Sequence, residues 1–160
     1  MSILEKQMDA LMRLCVAEKE EDRECVRQEV RQMLEARKVS RSLDPEYLIR
    51  NLLMELGAPD HLSGYPMVIQ AVLLTLRDQT YINSMTFSLY PHLALIFEST
   101  PPRVERAIRH LIEVTWTRGD LTVLNRYFGS SVSANRGKPS NSEFIARMAN
   151  LVKQRLTEAA

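Results

Sequence analysis

Three arginines and one glutamate stand close together near the start of the segment Thr100–Trp116. They are Arg103, Glu105, Arg106 and Arg109. A guanidinium can bridge the two acceptors on the major-groove edge of guanine, and a carboxylate can accept a hydrogen bond from cytosine. These residue types therefore predict base reading in double-stranded DNA, provided that they share one exposed face of a helix.

The segment that carries these side chains has helix signals at both ends. Thr100 is a residue type favoured at the N-cap. Pro101 and Pro102 fit the first turn, where a missing N–H costs little, and Gly119 is typical of a helix end. The predicted helix spans about residues 101–117, and apolar residues at three-and-four spacing give it a buried face opposite the arginines. The buried face consists of Val104, Ala107, Ile108, Leu111, Ile112 and Trp116.

A short apolar helix is predicted immediately upstream, at residues 90–97. The tight connection 98–100 joins it to the arginine-rich helix. This arrangement is a helix-turn-helix, whose second helix lies in the major groove. For the arginine-rich helix alone, the alternative interpretation is an exposed face with ion pairs such as Glu105 with Arg109.

Two long stretches resemble a known family. The C-terminal effector domain of the sporulation initiation response regulator of endospore-forming bacteria is similar to PRVERAIRHLIEVTWTRG at residues 102–119 and to KPSNSEFIA at residues 138–146. Shorter matches follow the same order at Leu56, His61, Gly64, Tyr65 and Leu89. The resemblance covers roughly residues 44–157 and implies an all-helical DNA-binding domain.

The resemblance also implies how DNA is bound. Arg103, Glu105, Arg106 and Arg109 match the recognition-helix positions of the family. The family pattern implies a short duplex box with a TGTCGAA-like core, bound by tandem or paired copies of the domain. A homodimer on DNA is therefore an expected assembly.

Residues around this helix are candidates for contacts to DNA phosphates. They are Thr100, Arg118, Arg136, Lys138 and Ser140. Residues 100–140 carry seven basic and three acidic residues, a local balance of +4, although the whole chain has a formal charge of only +1. Such a patch can form a phosphate footprint. For Arg136 and Lys138, which lie in a polar loop, the alternative interpretation is solubility.

The fold class is predicted to be all-α. Residues 44–160 form a compact helical domain that contains the helix-turn-helix, residues 40–43 are a linker, and residues 1–39 are a separate helical segment. Further helices of the domain are predicted at about 44–57, 65–77, 81–89 and 120–127, and from the capping box at 140–143 onward.

The N-terminal segment consists of good helix formers without Gly or Pro. Leu4, Met8, Leu11 and Cys15 step by four, three and four, as in a heptad seam. A helical hairpin with its second helix starting near residues 20–22 is favoured over one long helix. In both cases the apolar stripe needs a partner surface.

Three apolar residues depart from the family pattern. The family tends to carry lysines at the positions of Phe87, Leu95 and Ile96. Helical geometry turns Leu95 and Ile96 away from the recognition helix, and exposed apolar side chains together imply a covered surface. We expect the N-terminal helices, with Leu4, Met8 and Leu11, to cover it in the same chain or in a partner chain. The missing lysines predict weaker non-specific DNA affinity.

The sequence does not have the pattern of an enzyme. His61, His92 and His110 are scattered, and Cys15 and Cys25 have no metal-ligand partners at usable spacing. We expect no catalysis, no metal and no cofactor. Both cysteines are expected to be reduced and buried in a cytoplasmic protein. No apolar run approaches the length of a membrane span, and no signal peptide is evident.

Two functions remain after these exclusions. The first is a sequence-specific DNA-binding transcriptional regulator without a phosphate-accepting receiver domain, since the N-terminal segment is too short for one. The alternative is a protein-interaction module or antagonist of another regulator, with weak or no DNA binding. The arginine-rich helix favours the first function, and the low net charge with the three apolar substitutions favours the second.

Overall fold

A computed structural model of the protein describes residues 3–16, 20–129 and 137–159. All regular secondary structure in these ranges is helical, which confirms the all-α fold class. The helices are α1 (Ile3–Val16), α2 (Glu20–Ser42), α3 (Pro45–Glu55), α4 (Gly64–Arg77), α5 (Thr80–Asn83), a π-helix (Met85–Leu89), α6 (Tyr90–Ile96), α7 (Pro101–Arg118), α8 (Leu121–Phe128) and α9 (Asn141–Ala159). In the part of the chain so described, none of these helices combines the length and apolar character needed to cross a membrane.

The chain divides into two compact units between Leu43 and Asp44. The boundary coincides with the predicted start of the helical domain. Because α2 continues to Ser42, most of the segment 40–43, which was expected to be a linker, is helical.

The two helices of the N-terminal unit run antiparallel. A guanidinium nitrogen of Arg13 in α1 lies 3.3 Å from a carboxylate oxygen of Glu29 in α2. Nearer the start of α1, Lys6 lines a crevice together with Ala36 and Arg37 of α2. Residues earlier in α1 therefore lie beside residues later in α2. This antiparallel pairing of α1 and α2 is the arrangement that the hairpin interpretation predicts.

The apolar stripe of α1 faces solvent. Met8, Leu11 and Met12 are exposed, whereas Ala10 is buried. Leu4 lies in α1, but its side chain is outside the described residues, as is that of Cys15. The exposed stripe is consistent with the expectation that this helix needs a further surface to pack against.

The predicted burial of Cys25 is wrong. Its thiol is free and exposed on α2. Successive residues of a helix point about 100° apart, and the neighbouring Val26 takes the buried position instead.

The helical domain begins where local signals predict. The Asp44 carboxylate accepts a hydrogen bond from the Glu46 backbone N–H at 3.0 Å and caps α3. After α3 the chain turns at Gly57, whose φ of +74° is a left-handed conformation that favours glycine. The buried face of α3 consists of Leu48, Ile49, Leu52 and Leu53.

Helix α4 lies at the centre of the domain and packs against α3, α7 and α9. Its first residue, Gly64, lies so close to α7 that a Cβ atom there would come within 2.2 Å of the Ala107 carbonyl oxygen. The absence of a side chain at Gly64 therefore permits the close approach of α4 to the arginine-rich helix. Residues Met67, Val68, Ile69, Ala71, Val72 and Leu74 of α4 are buried in the core.

The stretch predicted as one short helix at 81–89 is divided. Helix α5 ends at Asn83, and the π-helix that follows runs directly into α6. The Ser84 carbonyl accepts from the backbone N–H groups of both Ser88, at 2.8 Å, and Leu89, at 3.3 Å. This shared acceptor widens the turn, and Phe87 within it is exposed.

Three aromatic rings join the second half of the domain. Trp116 of α7 meets Phe128 of α8 edge-on with ring centroids 5.1 Å apart. Phe128 stacks on Phe144 of α9 at 5.2 Å. This cluster fixes the C-terminal half of α7 against the two helices that follow it.

Candidate nucleic-acid interface

Helices α6 and α7 form the predicted helix-turn-helix. In the turn, the Phe97 N–H donates to the Leu93 carbonyl at 3.0 Å, and the Ser99 N–H donates to the Ala94 carbonyl at 2.9 Å. Glu98 between them has a φ of +48°, in the left-handed region. Leu93 and Ala94 are buried. The short turn and buried corner hold α7 at a fixed angle to α6.

The arginine-rich face of α7 is directed to solvent. Arg103, Arg106 and Arg109 are exposed, and Glu105 is half-buried at the edge of this face. The opposite face is buried in the core and consists of Val104, Ile108, Leu111, Ile112 and Thr115. The side chains that could read bases therefore share one accessible face, as the spacing predicts.

The predicted capping hydrogen bond of Thr100 is wrong. Thr100 takes the N-cap position of α7 with extended backbone, but its hydroxyl accepts no hydrogen bond from the first turn. An N-cap side chain accepts from the second or third helical residue. The second is Pro102, which has no N–H, and the N–H of the third, Arg103, makes no bond to the Thr100 hydroxyl. The Thr100 side chain is exposed beside the arginine-rich face.

Two of the candidate DNA-contacting cations, Arg109 and Lys138, form ion pairs with carboxylates of α7. The Arg109 guanidinium forms a salt bridge with Glu105, one turn earlier. The Lys138 ammonium lies 2.6 Å from an oxygen of Glu113. Lys138 donates a hydrogen bond to this carboxylate and holds the pKa of Glu113 below its ordinary value, with smaller contributions from His110 and Arg109.

The candidate phosphate contacts differ in their surroundings. Arg118 is exposed in the last turn of α7. Ser140 forms the predicted capping box, since its hydroxyl accepts from the Glu143 N–H at 3.3 Å and its own N–H donates to the Glu143 carboxylate at 2.7 Å. Arg136 lies outside the described residues.

A buried asparagine connects three helices behind the arginine-rich face. The Asn141 amide donates to the Tyr90 hydroxyl at 3.0 Å and to the Glu105 carbonyl at 3.1 Å. Burial raises the pKa of Tyr90, and the hydrogen bond from Asn141 partly offsets this rise. The first turn of α9 is thereby tied to both helices of the helix-turn-helix. The sequence carries no local signal for this contact, because Tyr90 and Asn141 are far apart along the chain.

A cleft of about 480 Å³ lies beside these contacts. It is bounded by α7 on one side and by the start of α9 on the other, with the π-helix at its end. Glu113 and Lys138 both line it, and so does Arg109. The charged groups of α7 and of the segment preceding α9 therefore face a common opening.

Three large apolar side chains of the π-helix and α6 are exposed. Phe87 is 88 % exposed and Leu95 is 81 % exposed, and Ile96 is also exposed. Helical geometry predicts this outward direction for Leu95 and Ile96. We call these three residues the apolar patch.

The family model described as "Sporulation initiation factor Spo0A C terminal" matches residues 49–152 of the chain. The chain belongs to this family. The match begins within α3 and ends within α9, so it contains the whole helix-turn-helix. The N-terminal helical unit precedes the matched region.

Membership of the Spo0A C-terminal family indicates the general activity of the domain. This is a family of DNA-binding domains that regulate transcription, and it is not a family of enzymes. DNA is accordingly the partner of the domain.

Proposed function

We propose that the protein is a sequence-specific transcriptional regulator that places α7 in the major groove of DNA. The observation that carries this proposal is the set of three exposed guanidiniums on the outer face of α7, within a helix-turn-helix of the Spo0A C-terminal family. Regulation takes place in the cytoplasm in this proposal.

The base-reading roles follow from chemistry and position. Arg106 and Arg109 are the leading base readers, because two guanidiniums one turn apart on an exposed helix can each bridge a guanine. Arg103 and Glu105 assist them at the edges of the face. The salt bridge between Glu105 and Arg109 is exposed, and exposed pairs contribute about 0–1 kcal/mol. DNA can therefore replace it at low cost.

The phosphate contacts surround this face. Arg118 lies at the far end of α7, and Thr100 lies at its start. Lys138 and Ser140 flank α7 from the segment that leads into α9, and Arg136 belongs to the preceding loop outside the described residues. Phosphate contacts fix orientation without reading sequence, so these residues contribute affinity on any duplex.

The N-terminal hairpin is the regulatory element of this proposal. It precedes the DNA-binding domain directly, and its exposed apolar stripe needs a surface to cover. Control in this proposal comes from association of the hairpin with a protein partner or a second copy.

Fluorescence anisotropy tests the DNA-binding proposal. The protein is titrated onto a labelled duplex with the TGTCGAA-like box and onto a scrambled duplex, across a salt series. We expect tighter binding to the box and a linear fall of log affinity with log salt. Weak binding without preference, from protein with an intact helical circular dichroism spectrum, would contradict the proposal.

The apolar patch favours a second candidate function. Exposed aromatic and aliphatic side chains grouped on one surface mark protein contacts. In this alternative, the domain binds another regulator through the patch and antagonises it. Replacing Phe87 and Leu95 by serine would abolish that association and leave the anisotropy titration unchanged, whereas loss of box binding would assign the patch to the DNA interface.

A further inference from the structure

Glu113 occupies the same outer face of α7 as the proposed base readers. It follows Arg109 by four residues, about one helical turn. Its carboxylate oxygen lies 2.6 Å from the Lys138 ammonium, although the two residues are 25 positions apart in the chain. Lys138 is one of the proposed phosphate contacts. A carboxylate of the same chain is therefore paired with a cation that we propose to contact DNA.

The residues that follow Lys138 anchor its backbone, and one of them bonds to α7. Pro139 is buried. Ser140 closes the capping box of α9 with Glu143, and the buried Asn141 amide bonds the Glu105 carbonyl on α7. The Lys138 ammonium therefore lies beside Glu113 on a segment whose backbone is anchored.

The ion pair is both ionised and replaceable. Lys138 lowers the pKa of Glu113, so the carboxylate is charged at neutral pH. The two side chains are 43 % and 42 % exposed. Water and salt screen such a pair, so it is easily replaced. A DNA phosphate that approaches α7 can therefore take the ammonium from the carboxylate.

We propose that Glu113 is an intramolecular competitor for DNA phosphate, which must be displaced before Lys138 contacts the duplex. The competition lowers the contribution of Lys138 to binding on every sequence, because phosphates are present everywhere. Discrimination then depends more on the base-reading arginines than on charge. This inference rests on the proposed DNA-binding function. It assigns to Glu113 a role in setting the sequence-independent part of the DNA affinity.

A double-mutant cycle tests the competition. Glu113→Gln, Lys138→Gln and the double variant are titrated onto a scrambled duplex, with the unsubstituted protein, across a salt series. In the unsubstituted background Lys138→Gln weakens binding only slightly, because the lost phosphate contact is offset by an ion pair that no longer has to break. In the Glu113→Gln background the same substitution weakens binding by a further factor of about two to five, equivalent to about 0.4–1 kcal/mol.

The salt series provides a second readout that a purely structural ion pair would not move. The Glu113→Gln variant should have a steeper dependence of log affinity on log salt than the double variant, by about 0.9, the value for one phosphate contact. Both side chains are half-buried and solvent screens their ion pair, so all variants are expected to keep the melting transition of the unsubstituted protein.

Glu158→Gln is the matched charge control. It removes one negative charge from the same domain, but Glu158 lies 17 residues after Asn141 in α9, roughly 25 Å along the helix. If Glu158→Gln raises the affinity for the scrambled duplex as much as Glu113→Gln does, the effect is due to net charge and the inference is overturned.

The cycle separates this inference from the function on which it rests. Additive effects of the two substitutions, with normal binding by the unsubstituted protein, overturn the competition alone. No binding by the unsubstituted protein to either duplex at low salt overturns the DNA-binding proposal and the competition together.

Discussion

At the scale of single residues, two of the cations proposed to contact DNA already have a carboxylate partner within the protein. Arg109 has Glu105 and Lys138 has Glu113, and both carboxylates belong to α7 itself. These pairs cost little to break because they are exposed. What distinguishes the two cations is their expected target, since Arg109 is placed to reach a base and Lys138 to reach a phosphate.

Arginine substitutions on α7 should separate base reading from phosphate contact. Arg109→Ala should cost about 1–3 kcal/mol on the box duplex and much less on a scrambled one, because a lost bidentate base contact removes discrimination. Arg118→Ala on the same helix is the matched variant. It should weaken both duplexes equally and reduce the salt slope by about 0.9. Both are measured by anisotropy, and equal losses on the two duplexes for Arg109→Ala would show that it contacts only the backbone.

A second prediction concerns Glu55 of α3, which is contacted by Arg155 of α9 at 3.2 Å and by the hydroxyl of Tyr127. Burial alone would raise the pKa of Glu55, but the hydrogen bonds from Tyr127 and Arg155 outweigh it and lower the pKa below 4.5. Because the folded-state pKa is lowered, this stabilisation is present above pH 4.5 and is lost as the pH falls through the folded-state pKa.

Glu55→Gln should therefore lower the free energy of unfolding at pH 7 and have less effect in acid. The loss should be below about 1 kcal/mol, since the Glu55 side chain is 39 % exposed and solvent screens the pair. Urea unfolding at pH 7 and at pH 3 measures it. Tyr127→Phe, which removes one donor to the carboxylate, should reduce the same pH dependence in part. A difference between Glu55→Gln and the unsubstituted protein that grows on acidification would contradict this account.

At the scale of helices, the sequence predicts the ends of elements well because caps are local. Asp44, Asp120 and Ser140 each accept a hydrogen bond from a backbone N–H two or three residues ahead. The positions of such caps can be deduced from four neighbouring residues. At Thr100 the missing N–H of Pro102 removes one of the two possible donors, and the other, the N–H of Arg103, makes no bond to the hydroxyl.

Contacts between distant segments could not be predicted in this way. Lys138 meets Glu113 across 25 residues, and Asn141 meets Tyr90 across 51. Their pairing depends on how α9 docks on α6 and α7, which no local pattern specifies. The four side chains of the candidate base-reading set were predictable because they lie on one helix, whereas their partners belong to the packing of the domain.

Asn141 should be the residue that most strongly couples α9 to the helix-turn-helix. Asn141→Ala removes a buried hydrogen bond to the Tyr90 hydroxyl and a partly buried one to the Glu105 carbonyl. Leaving buried polar groups unpaired costs about 1–3 kcal/mol. The free energy of unfolding, measured with urea, should fall by this amount, and box binding should weaken as α7 loses its support.

The matched control for this prediction lies on the same helix. Asn150 of α9 is exposed, and Asn150→Ala should change stability by no more than about 0.5 kcal/mol. Equal losses for the two alanine variants would mean that helix propensity, and not the buried network, determines the effect of Asn141→Ala.

At the scale of the whole molecule, the two units differ in how they bury apolar side chains. The domain from Asp44 onward has a continuous core formed by α3, α4, α6, α7, α8 and α9. In the N-terminal unit Met8, Leu11, Met12, Leu34 and Val39 are exposed. A pair of helices with little buried surface is marginal by itself. The domain should fold without the hairpin, while the hairpin depends on another surface.

Deletion of the hairpin tests whether the domain folds and binds DNA without it. A fragment of residues 44–160 should keep the melting transition of the domain and its affinity for a single box, because the core and α7 lie within it. The full chain should in addition associate in sedimentation equilibrium, or bind tandem boxes cooperatively, through the apolar stripe of α1. Full-length protein with Leu11 and Met12 replaced by serine should behave like the fragment, since only the exposed stripe is changed. If the fragment associates as strongly as the full chain, association must come from the domain itself, and the apolar patch of Phe87, Leu95 and Ile96 becomes the contact surface.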